Sequence, residues 1–513
     1  MANRWRAFYE ILKFPISVLL VAFILLGIGN LLMNPVYGIT SYFDYDVLNA
    51  TGEILQRTGS FLIVNFPLLF LFRLVSGKSG NSVTVLSAFA GFVIFHVVTM
   101  LVARSDLTTT AYSSILGLSI TRSSISKLTS GTHYPLQTGL IGAWVIAWIT
   151  RFSFSKMKKK NGMISGETGC VILTMVLSLI AGLIFSVAWP YVIMVVNKGI
   201  SCITGDTTSP VNLGVYGIMD RLFSTMNLGT LIRQPFWYTV NGGSWVSAAG
   251  ASVTGDVNIW TAQVEANAVT GMSGRFITPY YVLNLFAIPG MVIAMYSLHT
   301  GRHEKRKARG LCILVILVSL LSGCLLPVEL FLLFLCPVLF LIHLGLTGCL
   351  FGVLQSLHLY LGYRSEEAST MTALPGTLPE FLSYLNMPGL RKTLLGIVIT
   401  GVVMFFVYYL ITKFYFRSLT VGMFDVKKKQ VIVEEILKAL GGTENIRSTD
   451  CSVTELTVSL YDPDLIDVEK LMKLGSYRVY EFNGGYNLCF GNASVMIRNG
   501  IRNALRDSVR DLS

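Results

Sequence analysis

Long apolar runs fill the chain up to Phe414, and they constrain its fold more than any other feature. Because a helix needs about 20 apolar residues to cross a membrane, each run is a candidate span. The runs cover residues 14–33, 60–75, 82–103, 135–152, 168–197, 276–298, 310–326, 329–361 and 393–414. Only 13% of the residues are charged, against roughly 25% in a soluble domain. A purely soluble protein is therefore excluded.

Basic residues gather at the ends of these runs and give the chain a net charge of +12. In a soluble protein this charge would favour a nucleic acid partner, but beside apolar runs it is typical of cytoplasmic membrane loops. We therefore predict a lipid bilayer and no nucleic acid as the partner, with every cluster on the cytoplasmic side. The clusters are Arg4, Arg6 and Lys13; Lys156 and Lys158 to Lys160; Arg302, Lys305 to Lys307 and Arg309; and Lys413, Arg417 and Lys427 to Lys429.

The spacing of the clusters predicts a segment that enters the membrane and turns back. Three runs lie between Arg309 and Lys413, and an odd number cannot return the chain to the same side unless one run fails to cross. The candidate is 323–329, where Gly323, Pro327 and Glu329 interrupt the apolar pattern. The run 329–361 is long enough for a further break near a glycine at 345, 348 or 352.

The segment 200–275 is rich in Gly, Ser, Thr and Asn, with aromatic residues between them. Aromatic and amide side chains are those that bind carbohydrate, so this segment is a candidate sugar-facing region. The alternative is an external loop with an interfacial aromatic belt. The aromatic residues considered for sugar binding are Phe236, Trp237, Tyr238, Trp245 and Trp260.

The 8 cysteines show no C-x-x-C spacing, and no histidine lies at the distance of a zinc ligand. We therefore expect no disulfide framework, no metal and no cofactor. Arg4 and Arg6 precede an apolar run without a small-residue cleavage site, which predicts a retained first helix and not a signal peptide.

After Phe414 the pattern changes to that of a small soluble domain. The periodicity predicts helices at 427–440, 468–474 and 493–512, and strands at 454–460, 477–482 and 486–490. The last two strands form a hairpin across Asn483-Gly484-Gly485, and residues 445–453 read as a loop. The predicted fold is a multi-pass α-helical membrane domain with re-entrant segments (residues 1–425), followed by a small α+β domain with an antiparallel sheet (426–513).

Short motifs in both parts occur in the order of a known family. They are LGIGN at 26–30, QPFWY at 234–238, SGRF at 273–276 with IP at 288–289, GCLLPVEL at 323–330, CPVL at 336–339 with IH at 342–343, LGGTENI at 440–446 and FG at 490–491. On these motifs the chain resembles the glucose-type permeases of the bacterial phosphoenolpyruvate-dependent sugar phosphotransferase system, in which a membrane C domain precedes a soluble B domain.

The resemblance implies uptake of a sugar across the bacterial inner membrane with coupled phosphorylation. In such permeases a cysteine of the cytoplasmic B domain passes a phosphoryl group to the sugar held in the membrane domain. The resemblance also implies a homodimer with kinase activity toward the sugar. We find no A domain in this sequence, so we expect an active form to need a separate phosphodonor A-domain protein.

The sequence departs from the family's motifs at their reactive positions. Residues 227–230 read NLGT where the family has GLHH, and Leu326 replaces the first glutamate of GITEPIE while Glu329 keeps the second. In the B-domain motif DxCxTRLR, Ser452 aligns with the nucleophilic cysteine, and Glu455 and Thr457 stand at the two arginines. A charge of the wrong sign about 4 Å from the phosphoryl group costs roughly 4 kcal/mol at an effective dielectric constant of about 20. We therefore expect phosphotransfer of low efficiency.

Two neighbouring residues are candidate phosphoryl acceptors. Cys451 follows the polar residues 448–450 in what reads as an exposed turn, and a thiolate is nucleophilic near neutral pH without a dedicated base. Ser452 aligns better but has no histidine close in sequence to activate it. We predict Cys451 as the acceptor, with Ser452 as the alternative; Cys451 as a loop residue without a phosphoryl role is the third reading. Arg447 or Arg478 would have to replace the missing arginines.

Glu329 is the acid within residues 310–361, and a carboxylate at membrane depth by default marks a site. We predict that it accepts hydrogen bonds from sugar hydroxyls; the alternative is a water-solvated residue at the mouth of a hairpin. Arg233 could equally be an interfacial residue, and His343 is predicted to be a packed helix histidine. The PFW match adds further sugar-binding candidates, which are Thr230, Arg233, Gln234 and Trp237.

The predicted function is thus a sugar permease with coupled phosphorylation. The alternative is a divergent member without phosphotransfer, acting as a sugar facilitator or a sensor. A third class, an ion-coupled transporter, is disfavoured because the apolar runs hold few acids.

Overall fold

The structure is a computed structural model that describes residues 2–34, 37–43, 45–79, 82–102, 138–157, 166–248, 250–269, 271–364, 375–419, 426–482 and 485–510. It contains long apolar helices followed by a small domain of helices around an antiparallel sheet. The predicted fold class is therefore confirmed.

The membrane part begins with α1 (Ala2–Met33), α2 (Asp46–Val64), α3 (Phe66–Ser79), α4 (Ser82–Val102), α5 (Gly139–Met157) and α6 (Gly166–Thr204). It continues with α7 (Pro210–Thr225), α8 (Thr230–Tyr238), the strands β1 (Ser244–Val246) and β2 (Ser252–Thr254), and α9 (Asp256–Glu265). It ends with α10 (Thr278–Val282), α11 (Ile288–Leu298), α12 (Arg302–Ser322), α13 (Leu326–Leu335), α14 (Pro337–Ser356), α15 (Leu378–Ser383) and α16 (Arg391–Phe414).

Within the described residues, 6 spans are long and apolar enough to cross a membrane, or up to 7 if α2 and α3 form one bent span. The bend between α2 and α3 is 51°. Pro67 has no backbone N–H to continue the helix, and the Asn65 side chain bonds the Phe61 carbonyl at 2.9 Å. The run predicted at 60–75 therefore falls on two helices, which meet at this bend and together are apolar enough to form one bent span. Residues 103, 135–137 and 158–160 of the predicted runs and clusters lie outside the described residues.

The helix break predicted at 323–329 is present. Gly323 ends α12 with φ of +62°, and α13 has only 10 residues. At 1.5 Å per residue α13 rises about 15 Å, half of the roughly 30 Å hydrocarbon core, so it cannot cross alone. The second predicted break is misplaced, because α14 is continuous and the interruption falls at Cys336, before Pro337. The glycines of α14 serve packing instead: a Cβ on Gly348 would lie 3.0 Å from the Gly214 carbonyl oxygen of α7.

The small domain comprises α17 (Val426–Ala439), β3 (Ile446–Cys451), β4 (Leu456–Leu460), α18 (Val468–Lys473), β5 (Val479–Phe482), β6 (Gly485–Leu488) and α19 (Ser494–Arg510). The antiparallel sheet has the order β3-β4-β6-β5, and Val458 of β4 lies opposite Tyr486 of β6. The apolar face of α17 is buried, with Ile436 fully inaccessible, as is Leu440 directly after the helix. The predicted hairpin pairs Val479 with Leu488, while its turn residues 483 and 484 lie outside the described residues.

One strand of this sheet contradicts the sequence prediction. Residues 445–453 were expected to form a loop, but Ile446–Cys451 forms β3 and pairs with β4. The strand lies at the edge of the sheet and its exposed residues do not alternate regularly with buried ones. The strand β3 therefore lacks the two-residue alternation of apolar and polar residues by which a strand is predicted from sequence.

The small domain packs on the membrane part at the turn between α11 and α12. The Thr300 backbone N–H donates to the Cys451 carbonyl, and the Cys451 N–H donates to Thr300 Oγ1, both at 2.9 Å. From α1, Lys13 Nζ lies 3.4 Å from Glu455 Oε1. The start of the α1 span and the start of α12 therefore lie on the same side as the small domain.

We expect a cysteine introduced at Lys305 to react with impermeant thiol reagents from the same side as a cysteine at Lys428 of the small domain. The physical reason is the direct contact between Thr300 and Cys451, which leaves no room for a membrane between α12 and the small domain. The measurement is accessibility labelling in a variant without the exposed Cys202 and Cys349. Labelling of position 305 from the opposite side would exclude this topology and the re-entrant hairpin.

Candidate functional site

A cavity of about 100 Å³ lies inside the membrane part where α7, α8 and α13 approach one another. Both motif segments that depart from the family pattern, 227–230 and 323–329, contribute to its wall. The residues with polar groups that line it include Arg221, Ser224, Asn227, Thr230, Arg233, Tyr280 and Glu329. A concave site with a few convergent polar groups is the kind of place that holds a small polar ligand.

Glu329 is fully buried in the first turn of α13, beside the cavity. Its carboxylate accepts hydrogen bonds from Arg221 Nη1 at 3.2 Å and from Thr225 Oγ1 at 3.3 Å. His343 Nε2 lies 3.3 Å from the same carboxylate, and His343 Nδ1 lies 2.8 Å from the Tyr408 hydroxyl. The start of a helix also favours a negative charge. Glu329 is therefore not the water-solvated residue of the alternative interpretation.

Asp220 connects the two arginines of the cavity. Its carboxylate accepts from Arg221 Nε at 3.0 Å, from Arg233 Nε at 2.7 Å and from Ser224 Oγ at 3.2 Å. The Tyr280 hydroxyl also donates to it. With Glu329, two carboxylates balance two guanidinium groups, which is the condition for burying such charges.

Aromatic rings fix the guanidinium groups from the side. The Tyr280 ring lies 5.1 Å from the Arg221 guanidinium and 5.5 Å from that of Arg233. The Trp237 ring lies 5.3 Å from the Arg233 guanidinium, and its indole N–H donates to the Tyr216 hydroxyl at 2.9 Å. These cation–π contacts and hydrogen bonds leave Arg221 and Arg233 little freedom to rotate away from the cavity.

The structure places the predicted sugar-binding residues at different distances from the cavity. Glu329, Thr230 and Arg233 line it, while Trp237 packs behind Arg233. Gln234 is not among the lining residues. Because Arg233 is bonded to Asp220 and Ser224 inside the protein, the interfacial interpretation of Arg233 does not hold.

Sequence reasoning missed Asp220, Arg221 and Tyr280. The signal in the sequence was the adjacent pair of an acid and a base, Asp220 and Arg221, within the segment 200–275. This segment was predicted to be a polar region, but part of it forms the helix α7. The apolar runs hold few acids, but they are not the whole of the membrane part. Among the described residues, the structure buries three further acids of the membrane part outside those runs, Asp256, Glu304 and Glu380.

In the small domain, two backbone N–H groups of the turn after β3 donate to the Ser452 hydroxyl. The Ser452 oxygen accepts from the N–H of Glu455 at 2.9 Å and from the N–H of Thr454 at 3.2 Å. The Ser452 N–H in turn donates to the Glu455 carbonyl at 2.8 Å. Backbone N–H groups that converge on one side-chain atom favour negative charge there.

Cys451 does not lie at an exposed turn, so that expectation is wrong. It ends β3, is 1% exposed, and its sulfur lies 3.7 Å from Thr300 Oγ1 and 3.8 Å from the Leu298 carbonyl oxygen. Burial raises the pKa of the Cys451 thiol, while the Thr300 hydroxyl and the charge of Arg498 lower it by less. At neutral pH the thiol is therefore protonated in this conformation.

Glu455 occupies the position where the family motif has an arginine. Its carboxylate accepts from the Tyr480 hydroxyl at 2.9 Å and pairs with Lys13. Of the two candidate replacements for the missing arginines, Arg447 is exposed on β3, and the Arg478 guanidinium lies 5.5 Å from the ring of the same Tyr480.

A second cavity, of about 400 Å³, lies between the Ser452 turn and the membrane part. Ser452, Thr454 and Glu455 line one side, and Pro327 and Phe331 of α13 line the other. Leu326 and Glu329 of the same helix line the first cavity. The single helix α13 thus separates the Ser452 turn from the buried Glu329 site.

Two family models match the chain. The phosphotransferase system EIIC model matches residues 10–348, and the phosphotransferase system EIIB model matches residues 434–467. The first match covers both walls of the buried cavity, and the second includes the Ser452 turn. The resemblance drawn from the short motifs is confirmed.

Relatives of similar architecture match nearly the whole chain. The glucoside-specific EIICBA component of the PTS system of Staphylococcus carnosus (strain TM300) is 27% identical over 512 residues, covering 96% of this chain and 72% of the relative. The glucose-specific EIICBA component of Staphylococcus saprophyticus subsp. saprophyticus is 26% identical, covering 95% of this chain and 70% of the relative. Another glucose-specific EIICBA component from the same S. carnosus strain is 25% identical, covering 97% and 74%. The chain belongs to the EIIC family of the phosphotransferase system.

Proposed function

We propose that this protein takes up a sugar and phosphorylates it during uptake. The observation that carries the proposal is the placement of two sites on the two faces of α13: the buried Glu329 network and the turn around Ser452. A sugar bound beside Glu329 would be one short helix away from a phosphoryl group on the turn. The relatives' names, glucose-specific and glucoside-specific, agree with a hexose or a glucoside as the substrate.

The protein is a multi-pass protein of the bacterial inner membrane, and its B region is the cytoplasmic part. We place the division between the two domains at 425/426. Residue 425 lies outside the described residues, and α17 begins at Val426. The same family resemblance supports a homodimer, which we include in the proposal.

In the membrane domain, Glu329 would accept hydrogen bonds from sugar hydroxyls. From the neighbouring wall, Arg233 would donate to sugar oxygens and the Thr230 hydroxyl would donate or accept. Trp237 would act through Arg233, whose guanidinium lies against its ring. Gln234 stays a predicted contact, to be reached only if α8 moves when the sugar binds. Carboxylate, guanidinium and hydroxyl groups around a small cavity are well matched to a polyhydroxylated ligand.

In the B domain, we place the phosphoryl acceptor at position 452. The donor's bond to phosphorus breaks as a bond from the Ser452 oxygen forms, and the hydroxyl proton passes to the donor. In the second step a sugar hydroxyl attacks the phosphorus, and its proton returns to the serine. The Thr454 and Glu455 N–H groups would stabilise the acceptor oxygen in both steps. Cys451 is the second candidate, because a thiolate is a stronger nucleophile than a serine hydroxyl and because the positive charge of Arg498 is nearby.

The test is incubation of the full-length protein with phosphoenolpyruvate, the general phosphotransferase proteins and a separate A-domain phosphodonor protein. We expect label on the B domain and phosphorylated sugar in the presence of substrate. Mass spectrometry of Ser452→Ala and Cys451→Ser distinguishes the acceptors, because the acceptor's variant loses the label and the other keeps it. Sugar entry without any phosphate on the protein or the sugar would overturn the proposal in favour of a facilitator.

A further inference from the structure

Positively charged side chains of the membrane part line the cavity between the domains. Within the described residues, the Ser452 turn itself contributes none. Lys13 and Lys307 line it, together with Glu304, Glu455 and His299. Lys307 is already paired with Glu304, at 3.5 Å, on the same helix. Burial lowers the pKa of His299, so that it adds no charge at neutral pH.

Lys13 is the cation that reaches the turn. Its ammonium group lies 3.4 Å from the carboxylate of Glu455, and the backbone N–H of the same Glu455 donates to the Ser452 hydroxyl. The Lys13 side chain is 41% exposed and that of Glu455 is 18% exposed, so the pair is at the edge of the cavity and not locked inside the protein. A lysine on a four-carbon stem can move by a few ångström in such a place.

We propose that Lys13 changes its partner during phosphotransfer, from Glu455 in the resting protein to the phosphoryl group in the loaded one. The membrane domain then supplies the positive charge that the B-domain motif lacks at positions 455 and 457. This inference rests on the proposed function, since it assigns a positioning residue to the same phosphotransfer. Because Lys13 belongs to the membrane domain, the phosphotransfer site is complete only when the two domains are in contact.

Lys13 is expected to change its partner because the phosphoryl group carries more negative charge than the Glu455 carboxylate. A phosphoryl group carries about −1.5 to −2 charges near neutral pH, more than the single charge of a carboxylate. It therefore competes successfully with Glu455 for Lys13. Glu455 is in this view an inhibitor of the reaction, because it holds the cation and repels the incoming group.

Two variants, Lys13→Met and Glu455→Gln, test the exchange, and they are expected to change the rate of phosphoryl transfer in opposite directions. Lys13→Met should lower the rate of phosphoryl transfer to the sugar by about tenfold, the scale of one charge-assisted hydrogen bond, and Lys13→Arg should restore it. Glu455→Gln should raise the rate by about fivefold, because it breaks the ion pair between Lys13 and Glu455 and removes the repulsion of the phosphoryl group. Sugar affinity, measured by calorimetry, should not change in either variant.

A purely structural ion pair predicts a different pattern, since loss of either partner would then lower the rate. A lower or unchanged rate in Glu455→Gln would therefore overturn the proposal even if Lys13→Met does not fold. Lys470→Met is the matched control, because it breaks another lysine–glutamate pair, with Glu435 at 2.8 Å, away from the cavity. If wild type accepts phosphate but the Lys13 and Glu455 variants behave like this control, the partner exchange fails and the proposed function stands. If wild type accepts no phosphate, both fail.

Discussion

Replacing Ser452 by cysteine should raise phosphoryl transfer to the sugar by about tenfold or more, the largest gain expected from any single change in this chain. The reason is chemical, because a thiolate attacks phosphorus without a dedicated base and leaves it more readily than an alkoxide does. The geometry is already present: the N–H groups of Thr454 and Glu455 point at the side-chain atom of position 452. The measurement is the rate of sugar phosphate formation with excess phosphodonor protein.

Two further variants make this result interpretable. Cys451→Ser combined with Ser452→Cys leaves one thiol at positions 451 and 452, and its label should lie on residue 452. Ser459→Cys on β4 is the matched control, because it makes the same chemical change elsewhere in the sheet and should leave the rate unchanged. If Ser452→Cys accepts no more phosphate than wild type while Cys451→Ser abolishes the label, the acceptor is Cys451 and the assignment to 452 is wrong.

The outline of the fold was predictable because the elements with a clear period bury one face. The helix at 427–440 shows its buried stripe in the sequence, and the hairpin strands alternate. The edge strand β3 was missed because its middle residues, from Arg447 to Asp450, are polar and partly exposed. Its pairing with β4 is what makes it a strand, and that contact is not encoded in local periodicity.

The buried charges were harder to predict than the helices. Glu329 was found because an acid inside an apolar run is conspicuous. Asp220 and Arg221 occur in a polar segment, where charged residues normally indicate a solvated surface. Their burial depends on partners 13 and 108 positions along the chain, Arg233 and Glu329. Such a neutral network is assembled only by the tertiary fold.

Glu329→Gln is expected to lower sugar affinity by about ten- to hundredfold, which corresponds to roughly 1.5 to 3 kcal/mol for a charge-assisted hydrogen bond. Calorimetry with a verified sugar ligand measures this. The network predicts a second effect, because the neutral amide leaves Arg221 and Arg233 with only Asp220 as a counter-charge. Breaking one partner of a buried pair costs about 3 to 5 kcal/mol, so the variant should also unfold at a lower temperature.

The two effects can be separated by restoring the charge balance. In Glu329→Gln combined with Arg221→Gln, one negative and one positive charge are both removed, and thermal stability in detergent should largely recover. Sugar affinity should stay low, because the carboxylate that accepts the sugar hydroxyls is still missing. Glu380→Gln changes another buried acid that does not line the cavity, and it should bind sugar as wild type does. If affinity recovers together with stability in the double variant, Glu329 contributes only through charge balance and does not contact the sugar.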